Sequence, residues 1–223
     1  MLNEGARIAA LLSTLRERFP DAELIVVDGG SADQSVTAAM PLADSVLLGP
    51  RGRARQMNLG AACAKHEWLC FLHADTEPLF EQSALLAALR RDALWGFCRL
   101  RLSGPQRILA VIAVLINWRA RLTRVATGDQ CLLVRRTTFL RIDGFADIPL
   151  MEDVEISKRL RGLRSPLCLN LMVESSGRRW VEQGVLRTIV RMWALRLAFW
   201  LGVPPVRLWQ HYYGNRALRV DES

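Results

Sequence analysis

Two side chains that could bind a metal ion or a hydroxyl group follow an unbroken apolar run in the sequence. Residues 68–72 are all apolar, and His73 and Asp75 come directly after them. Such a run suits a strand buried on both faces of a parallel sheet that helices cover. The carboxyl ends of such strands border the crevice in which open α/β folds bind ligands. The pattern therefore predicts that His73 and Asp75 reach a ligand, although they could equally cap the next turn.

Further acidic residues stand at two other positions where predicted loops should gather. Asp28 follows a short apolar strand at 24–27, and Glu152 and Asp153 open a predicted helix. Each has a purely structural explanation, because aspartates favour turns and acids favour the first turn of a helix. Taken together beside arginines, these carboxylates and Asp75 suggest a metal-bound diphosphate and a general base.

A basic segment leads into another predicted helix. Residues 50–60 precede a helix that should extend through Ala64, and the segment contains Arg51, Arg53 and Arg55. Arginines on a loop at a helix N-terminus form a natural surface for phosphate groups. The alternative is a basic loop that simply faces solvent.

The elements that must position these residues alternate between helical and strand patterns. We predict helices at 3–19, 31–40, 82–91, 106–124 and 149–162, besides the helix that residues 50–60 enter and that extends through Ala64. We predict strands at 24–27, 45–48, 68–72, 97–102, 130–134 and 167–173. Ser31 and Gln34 have the spacing of a capping box for the second helix. This alternation predicts an α/β fold.

Composition indicates a single large domain. The chain has 223 residues, of which 51% are hydrophobic, and this content supports a sizeable core. No signal peptide is recognised at the start, and the apolar run at 108–116 is too short to span a bilayer. The five cysteines are odd in number and show no CxxC motif, so we expect reduced core thiols in a cytosolic protein.

The net charge of +8 is concentrated in the last third of the chain. Residues 1–154 hold 18 basic and 17 acidic side chains, whereas residues 155–223 hold 12 and 5. This balance indicates an anionic partner: a membrane, a nucleic acid or a phosphorylated substrate. The apolar stretch 185–201 carries arginines and tryptophans, which suits a membrane interface and a lipid-like acceptor. Packing on the domain or on a second subunit is the alternative.

Five ordered motifs carry a family resemblance. They are VVDGGSAD at 26–33, PRGRARQMNLGA at 50–61, FLHADT at 71–76, TGDQ at 127–130 and PLMEDVEISKRLR at 149–161. Together they resemble family 2 inverting glycosyltransferases with the GT-A nucleotide-sugar fold, and more narrowly a small bacterial branch of that family. The resemblance implies an α/β fold with a mixed, mostly parallel sheet flanked by helices. It also implies a single domain with a nucleotide-binding half (1–95), an acceptor and catalytic half (96–180) and a basic, tryptophan-rich C-terminal region (181–223).

The resemblance implies a reaction centre with three acids. Asp75 matches the last acid of the DxD motif, which binds Mg²⁺ or Mn²⁺ on the diphosphate. Asp153 matches the general base, with Glu152 beside it. A hard divalent ion needs oxygen ligands and keeps several waters, so one carboxylate and two phosphate oxygens can suffice. An inverting displacement then needs one base for the proton of the acceptor hydroxyl.

The resemblance also implies contacts with the nucleotide-sugar. Asp28 matches the acid that contacts the nucleoside base, and Arg53 and Asn58 lie in the segment that faces the nucleotide. His73 replaces the first acid of the DxD motif, so it could bind the ribose or a phosphate, or be a buried histidine with a backbone partner. Glu4 matches the end of a P-x-x-N-E pattern whose preceding strand, the first of the fold, is missing from this sequence.

The expected partners follow from this resemblance. They are a UDP- or GDP-sugar donor, an unknown acceptor with a lipid-linked one as an option, and an anionic membrane surface, but no nucleic acid. The expected location is cytoplasmic, with peripheral attachment to the inner face of the cell membrane as an option. Two rivals remain open. One is a nucleotidyltransferase with a similar sheet, although its G-G-x-S-x-R-M-G loop is missing. The other is an inactive nucleotide-sugar-binding or membrane-associated protein.

Overall fold

The computed structural model of the protein describes residues 1–89, 92–182 and 184–214. The helices are α1 (Gly5–Arg18), α2 (Ser35–Ala39), α3 (Arg53–Cys63), α4 (Gln82–Ala88), α5 (Arg107–Thr123), α6 (Arg136–Arg141), α7 (Glu152–Leu163), α8 (Arg178–Glu182), α9 (Val185–Trp200) and α10 (Pro205–Tyr213). The strands are β1 (Ile25–Asp28), β2 (Ser45–Leu48), β3 (Trp68–Phe71), β4 (Thr76–Pro78), β5 (Trp95–Ser103), β6 (Leu132–Arg135) and β7 (Leu167–Ser176). The predicted α/β fold is confirmed. Residues 90–91 of the predicted helix 82–91 lie outside the described residues.

The strands form two sheets with mixed pairing. β1 and β2 are parallel, and a five-stranded sheet has the order β3-β6-β5-β7-β4. In that sheet only β5 and β7 are parallel among the described strands. The sheet is therefore mixed, as predicted, but less parallel than the pattern suggested. The reason is that β6 begins directly after a 3₁₀ turn, Gly128–Gln130, that packs against His73, so it runs away from the edge at which β3 ends.

β3 is exposed on one face, contrary to the prediction of a strand buried on both faces, and it lies at an edge of its sheet. Within the described part of the chain it pairs with β6 alone, and Cys70 on it is exposed. No described strand joins β1 to β3, so the two sheets are separate among the described residues. Beside β1, the carbonyl of Met1 instead accepts a hydrogen bond of 3.0 Å from the N–H of Gly29.

The main core fixes the position of α7 against the sheet. Trp95 of β5 is completely buried, and its Nε1–H donates to the carbonyl of Arg164 over 2.8 Å. Ile156 and Leu160 of α7 are also fully buried in this core, whereas α3 contributes small alanines. Burial of this apolar face holds the N-terminus of α7 at the edge of the sheet where the candidate site lies.

Two predictions about local structure are wrong. The second helix begins at Ser35, because the hydroxyl of Ser31 donates to Asp28 instead of capping a helix. The cysteines are all free, but Cys63 and Cys70 are exposed and so are not core residues.

Among residues 1–89, 92–182 and 184–214, no helix has both the length and the apolar character required to cross a membrane.

Candidate active site

Arg53 is the centre of the candidate site. It is the first residue of α3, and its Nη1 lies 3.8 Å from Oε1 of Glu152. The recess around it remains open, since 47% of the Arg53 side chain is accessible. Desolvation opposes its charge, but the nearby Glu152, Tyr213, Asp153 and Asp75 raise the pKa of Arg53 above its ordinary value. One guanidinium therefore lies near acids from two distant parts of the sequence, Asp75 and the adjacent pair Glu152 and Asp153.

Glu152 is the most perturbed acid of the site. It begins α7 directly after Met151, whose φ of 70° places that residue in the left-handed region. The Glu152 side chain is only 5% exposed. Burial and the neighbouring Asp153 raise the pKa of Glu152 to about 7, although Arg53 acts in the opposite direction. Glu152 can therefore exchange a proton near neutral pH.

Asp153 is fixed by backbone groups on both sides. Its Oδ2 accepts a hydrogen bond of 2.9 Å from the N–H of Gly128, and its Oδ1 accepts one of 2.7 Å from the N–H of Val154. The 3₁₀ turn that contains Gly128 has its own capping box between Thr127 and Gln130. The TGDQ motif therefore forms a rigid turn that orients the Asp153 carboxylate.

His73 packs directly against the same turn. A methyl group at Gly128 would lie 2.4 Å from Cε1 of His73, so only glycine permits this approach. Burial and the nearby Arg53 lower the pKa of His73, while Asp129, Asp75 and Asp153 oppose this shift. The imidazole is therefore neutral at pH 7 and can both donate and accept a hydrogen bond. Its contact with a ribose or a phosphate stays a prediction.

Asp75 presents an exposed carboxylate at the end of β3. The hydroxyl of Thr76 reaches one of its oxygens only at 3.4 Å. Among the described residues, no group of three or more His, Cys, Asp or Glu side chains could hold a metal ion. The site therefore offers a divalent ion one free carboxylate here, which leaves coordination positions for ligand oxygens.

Asp28 is buried inside its own turn at the end of β1. Its carboxylate accepts hydrogen bonds from the N–H groups of Gly30 and Ser31, at 2.9 and 2.8 Å, and from the Ser31 hydroxyl. Burial would raise the pKa of Asp28, but these hydrogen bonds lower it below its ordinary value. The carboxylate thus shapes the glycine-rich turn, and its contact with a nucleoside base stays a prediction. Glu4 lies across from this turn, where its N–H donates to the hydroxyl of Ser35 over 2.8 Å.

Asn58 braces α3 against a distant turn. Its amide nitrogen donates to the carbonyl of Phe145 over 2.8 Å, and its amide oxygen accepts from the N–H of Phe145 over 2.9 Å. Both functions of the amide are occupied, so Asn58 positions the helix that carries Arg53. A direct contact of Asn58 with a nucleotide stays a prediction.

The structure brings five predicted residues together, namely Arg53, His73, Asp75, Glu152 and Asp153. It places Asp28 and Glu4 at the separate β1 end. Three residues that were not predicted as site residues also lie near this centre, namely Asp129, Tyr213 and Arg119. Asp129 belongs to the TGDQ motif and could have been found there, but no sequence pattern pointed to the other two.

Residues 1–106 match the sequence model of the family described as Glycosyl transferase family 2. This match covers β1 to β5, including Asp28, Arg53 and Asp75, and ends before α5. A search of curated proteins finds no match to the chain.

Several solved structures share the fold. Mannosyltransferase PcManGT from Pyrobaculum calidifontis, in complex with GDP-Man and Mn²⁺, is 18% identical, with 78% of this chain and 54% of that chain covered and a TM-score of 0.56. S. aureus TarS in complex with UDP-GlcNAc is 15% identical, with 79% and 56% covered and a TM-score of 0.60. Glucosyl-3-phosphoglycerate synthase from Mycobacterium tuberculosis, in complex with phosphoglyceric acid, is 18% identical, with 77% and 68% covered and a TM-score of 0.52.

The chain is thus similar to little more than half the length of the first two of these enzymes. At such low identity the likeness shows the fold alone, which is the GT-A fold of glycosyltransferases. The predicted fold class is confirmed by these structures.

Proposed function

We propose that the protein is a family 2 glycosyltransferase that moves a sugar from a nucleotide-sugar donor to an acceptor hydroxyl with inversion. The observation that carries this proposal is the convergence of Asp75, Glu152 and Asp153 around Arg53 on a GT-A fold. Two findings support it. Residues 1–106 match the sequence model of glycosyl transferase family 2, and proteins of similar fold were solved with GDP-Man and UDP-GlcNAc.

The donor diphosphate lies between Arg53 and Asp75 in this proposal. Asp75 would hold Mg²⁺ or Mn²⁺ together with phosphate oxygens, and such an ion stabilises a leaving diphosphate. An exposed carboxylate with free oxygens fits this role, and the neighbour PcManGT was solved with Mn²⁺. The guanidinium of Arg53 suits a phosphate because its charge is permanent and its N–H groups form a planar fork. The neutral ring of His73 can bond a phosphate or ribose oxygen beside them.

Asp153 takes the acceptor proton in the chemical step. The acceptor oxygen forms a bond to the anomeric carbon on the face opposite the leaving group, and its proton passes to the Asp153 carboxylate. The bond between that carbon and the diphosphate oxygen breaks, and the nucleoside diphosphate leaves with the electron pair. The N–H of Gly128 keeps the carboxylate oriented, since its bond to Oδ2 is 2.9 Å long.

Glu152 holds Arg53 in place and controls the charge of the recess. It is buried beside that guanidinium, and its pKa of about 7 makes its ionisation sensitive to whatever binds there. Glu152 is the next candidate for the general base if Asp153 does not accept the proton.

In this proposal Asp28 and Glu4 belong to a nucleoside subsite at the β1 end, and the glycine-rich turn that Asp28 shapes supports this assignment. Asn58 contributes by bracing the helix of Arg53.

Identification of the released nucleotide tests the proposal. The full chain is incubated with UDP-sugars or GDP-sugars and Mn²⁺, and products are separated by ion-exchange chromatography. We expect release of UDP or GDP from one donor class, and loss of this release after chelation of the metal. Release of pyrophosphate would instead identify a nucleotidyltransferase. Binding of a nucleotide-sugar without any release, across a panel of acceptors, would identify an inactive binding protein.

A further inference from the structure

Arg119 lies within electrostatic reach of Arg196 and of two acids of the candidate active site, Asp129 and Asp153. Arg119 is on α5 and Arg196 is on α9. Burial and the nearby Arg196 lower the pKa of Arg119 to about 10, while Asp129 and Asp153 oppose this shift. The two guanidinium groups therefore repel each other close to the proposed base.

Each of these arginines leaves one shielded nitrogen without a hydrogen-bond partner in the described part of the chain. Nη2 of Arg119 and Nε of Arg196 are shielded from solvent, and neither atom has a hydrogen-bond partner within the described residues. Other arginines of the chain bond a carboxylate closely, as Arg55 does with Asp147 over 2.7 Å. A shielded N–H group without a hydrogen-bond partner is costly, and a ligand that brings negative charge and acceptor oxygens to both arginines would remove this cost.

The outer faces of the same two helices are apolar and exposed. On α5 these residues include Leu115, Trp118 and Leu122, and on α9 they include Trp193, Leu197 and Trp200. Trp118 is 64% exposed and Trp193 is 72% exposed. The members of each set recur every three or four residues, so each set forms one stripe along its helix.

Each arginine lies at the boundary of its stripe. At 100° per residue, Arg119 falls between exposed Leu115 and buried Ile112, and Arg196 falls between exposed Trp200 and the partly buried Met192. Arg119 and Arg196, which we call the arginine seam, are therefore bordered by apolar surface on the two helices. Tryptophan and leucine beside arginine are typical of surfaces that enter the interface of a membrane.

We propose that the acceptor is an anionic lipid whose head group carries both a phosphate and a hydroxyl. Its phosphate lies between Arg119 and Arg196, its tail rests on the stripes of α5 and α9, and its hydroxyl is presented to Asp153. This inference rests on the proposed function and names its acceptor. The head-group oxygen bonds to the anomeric carbon, its proton passes to Asp153, and the nucleoside diphosphate leaves with the electrons of the broken bond.

Sedimentation with lipid vesicles tests the binding part without any activity. The probes are vesicles of phosphatidylcholine alone, with added phosphatidylserine, or with added phosphatidylglycerol. We expect the full chain to bind both kinds of anionic vesicle but not phosphatidylcholine alone. Arg119→Gln and Arg196→Gln should each lower the partition coefficient by about tenfold or more. The matched control is Arg121→Gln on an exposed face of α5, for which loss of one surface charge should cost at most about fivefold.

Donor affinity and lipid-dependent turnover separate this inference from the proposed function. In the wild-type chain, phosphatidylglycerol should stimulate nucleotide release and phosphatidylserine should not. Arg119→Gln and Arg196→Gln should each bind the donor with normal affinity in calorimetry but lose this stimulation. Stimulation by soluble glycerol phosphate equal to that by phosphatidylglycerol would assign the arginine seam to a free phosphate and overturn the lipid acceptor. If the variants instead lose donor affinity, the arginines belong to the donor diphosphate and the inference fails while the proposed function stands.

The remaining outcomes also decide the matter. If the wild-type chain releases no nucleotide from any donor but still binds anionic vesicles through the two arginines, the proposed function fails and only the lipid site remains. Equal loss in Arg121→Gln would overturn the site, because it would show attraction by general charge. A stable dimer that Trp118→Ser and Trp193→Ser dissociate, in sedimentation velocity, would assign the stripes to a second copy of the chain and overturn the proposal.

Discussion

Gly128 and Asp153 are joined by a hydrogen bond of 2.9 Å from the glycine N–H to Oδ2 of the carboxylate. The same glycine leaves no space for a side chain, because the ring of His73 occupies the position of a Cβ. One residue of the TGDQ turn therefore orients the proposed base and also permits the close approach of the histidine. A change at this glycine should disturb both.

The first prediction concerns this contact. Gly128→Ala should lower the free energy of unfolding by about 1–3 kcal/mol, since the added methyl group must displace His73. In a His73→Ala background the same change should cost at least about 0.5 kcal/mol less, because the clash is removed. Urea denaturation of the four proteins measures this coupling.

Gly162→Ala is the matched control for this cycle. Gly162 lies in α7 with nothing within 4 Å of an added Cβ, so alanine should be neutral or stabilising there. An identical cost of Gly128→Ala with and without the His73 ring would contradict the predicted contact.

The second prediction concerns Glu152 and pH. The pKa of Glu152 is about 7 in the folded protein and near its ordinary value of 4.5 in the unfolded chain, so folding binds a proton between these values. The contribution of Glu152 to stability is therefore complete below pH 4.5 and is lost as pH rises through 7. Relative to wild type, Glu152→Gln should become more stable by roughly 1–3 kcal/mol between pH 5 and pH 8.

Denaturation of both proteins at the two pH values measures this difference. Groups that titrate alike in both proteins do not contribute to the difference in their free energies of unfolding. Glu17→Gln, at an exposed position of α1, controls for the loss of one acid. A stability difference between Glu152→Gln and wild type that stays constant from pH 5 to pH 8 would show that burial does not raise the pKa of Glu152.

The sequence predicted the alternation of elements and most of the reaction centre, but not the relations between sheets. Asp75, Glu152 and Asp153 could be found because loops at one edge of an α/β sheet converge. The exposed face of β3 at Cys70 could not be predicted, because an unbroken apolar run does not show which face of a strand remains uncovered. The hydrogen bonds of Asp28 and Asn58 could not be predicted either, because they depend on where the fold places the backbone groups of Ser31 and Phe145.

The unpaired Arg119 shows a second limit of the sequence. Its neighbours in the chain indicate only an apolar helix with arginines, and its proximity to Asp153 arises only in the folded protein. Long-range placement of a charge cannot be read from local periodicity.

The third prediction concerns the thiols. Cys70 is exposed as a residue, but its Sγ lies 3.1 Å from Sγ of Cys131. This contact, with desolvation of the sulfur atom, raises the pKa of the Cys70 thiol well above its ordinary value. Because the thiolate is the reactive form, iodoacetamide at pH 8 should modify Cys70 much more slowly than exposed Cys63. Peptide mass spectrometry over time measures both rates. Equal rates would show that the contact with Cys131 does not protect Cys70.

The last prediction separates donor binding from chemistry at two aspartates. Asp75→Ala removes the proposed ligand of the metal that holds the diphosphate, so donor affinity in Mn²⁺ and turnover should both fall. Asp153→Asn keeps the shape and can still accept the hydrogen bond from Gly128, but it cannot take a proton. Donor affinity should therefore persist while turnover falls by roughly 10²–10⁴-fold.

The most direct measurement is the rate of nucleotide release by Asp153→Asn, taken beside its donor affinity from calorimetry. The account predicts near-normal donor affinity and a release rate lowered by roughly two to four orders of magnitude. Release at the wild-type rate, or a loss of donor affinity as large as that of Asp75→Ala, would contradict the role of Asp153 as the base that accepts the acceptor proton.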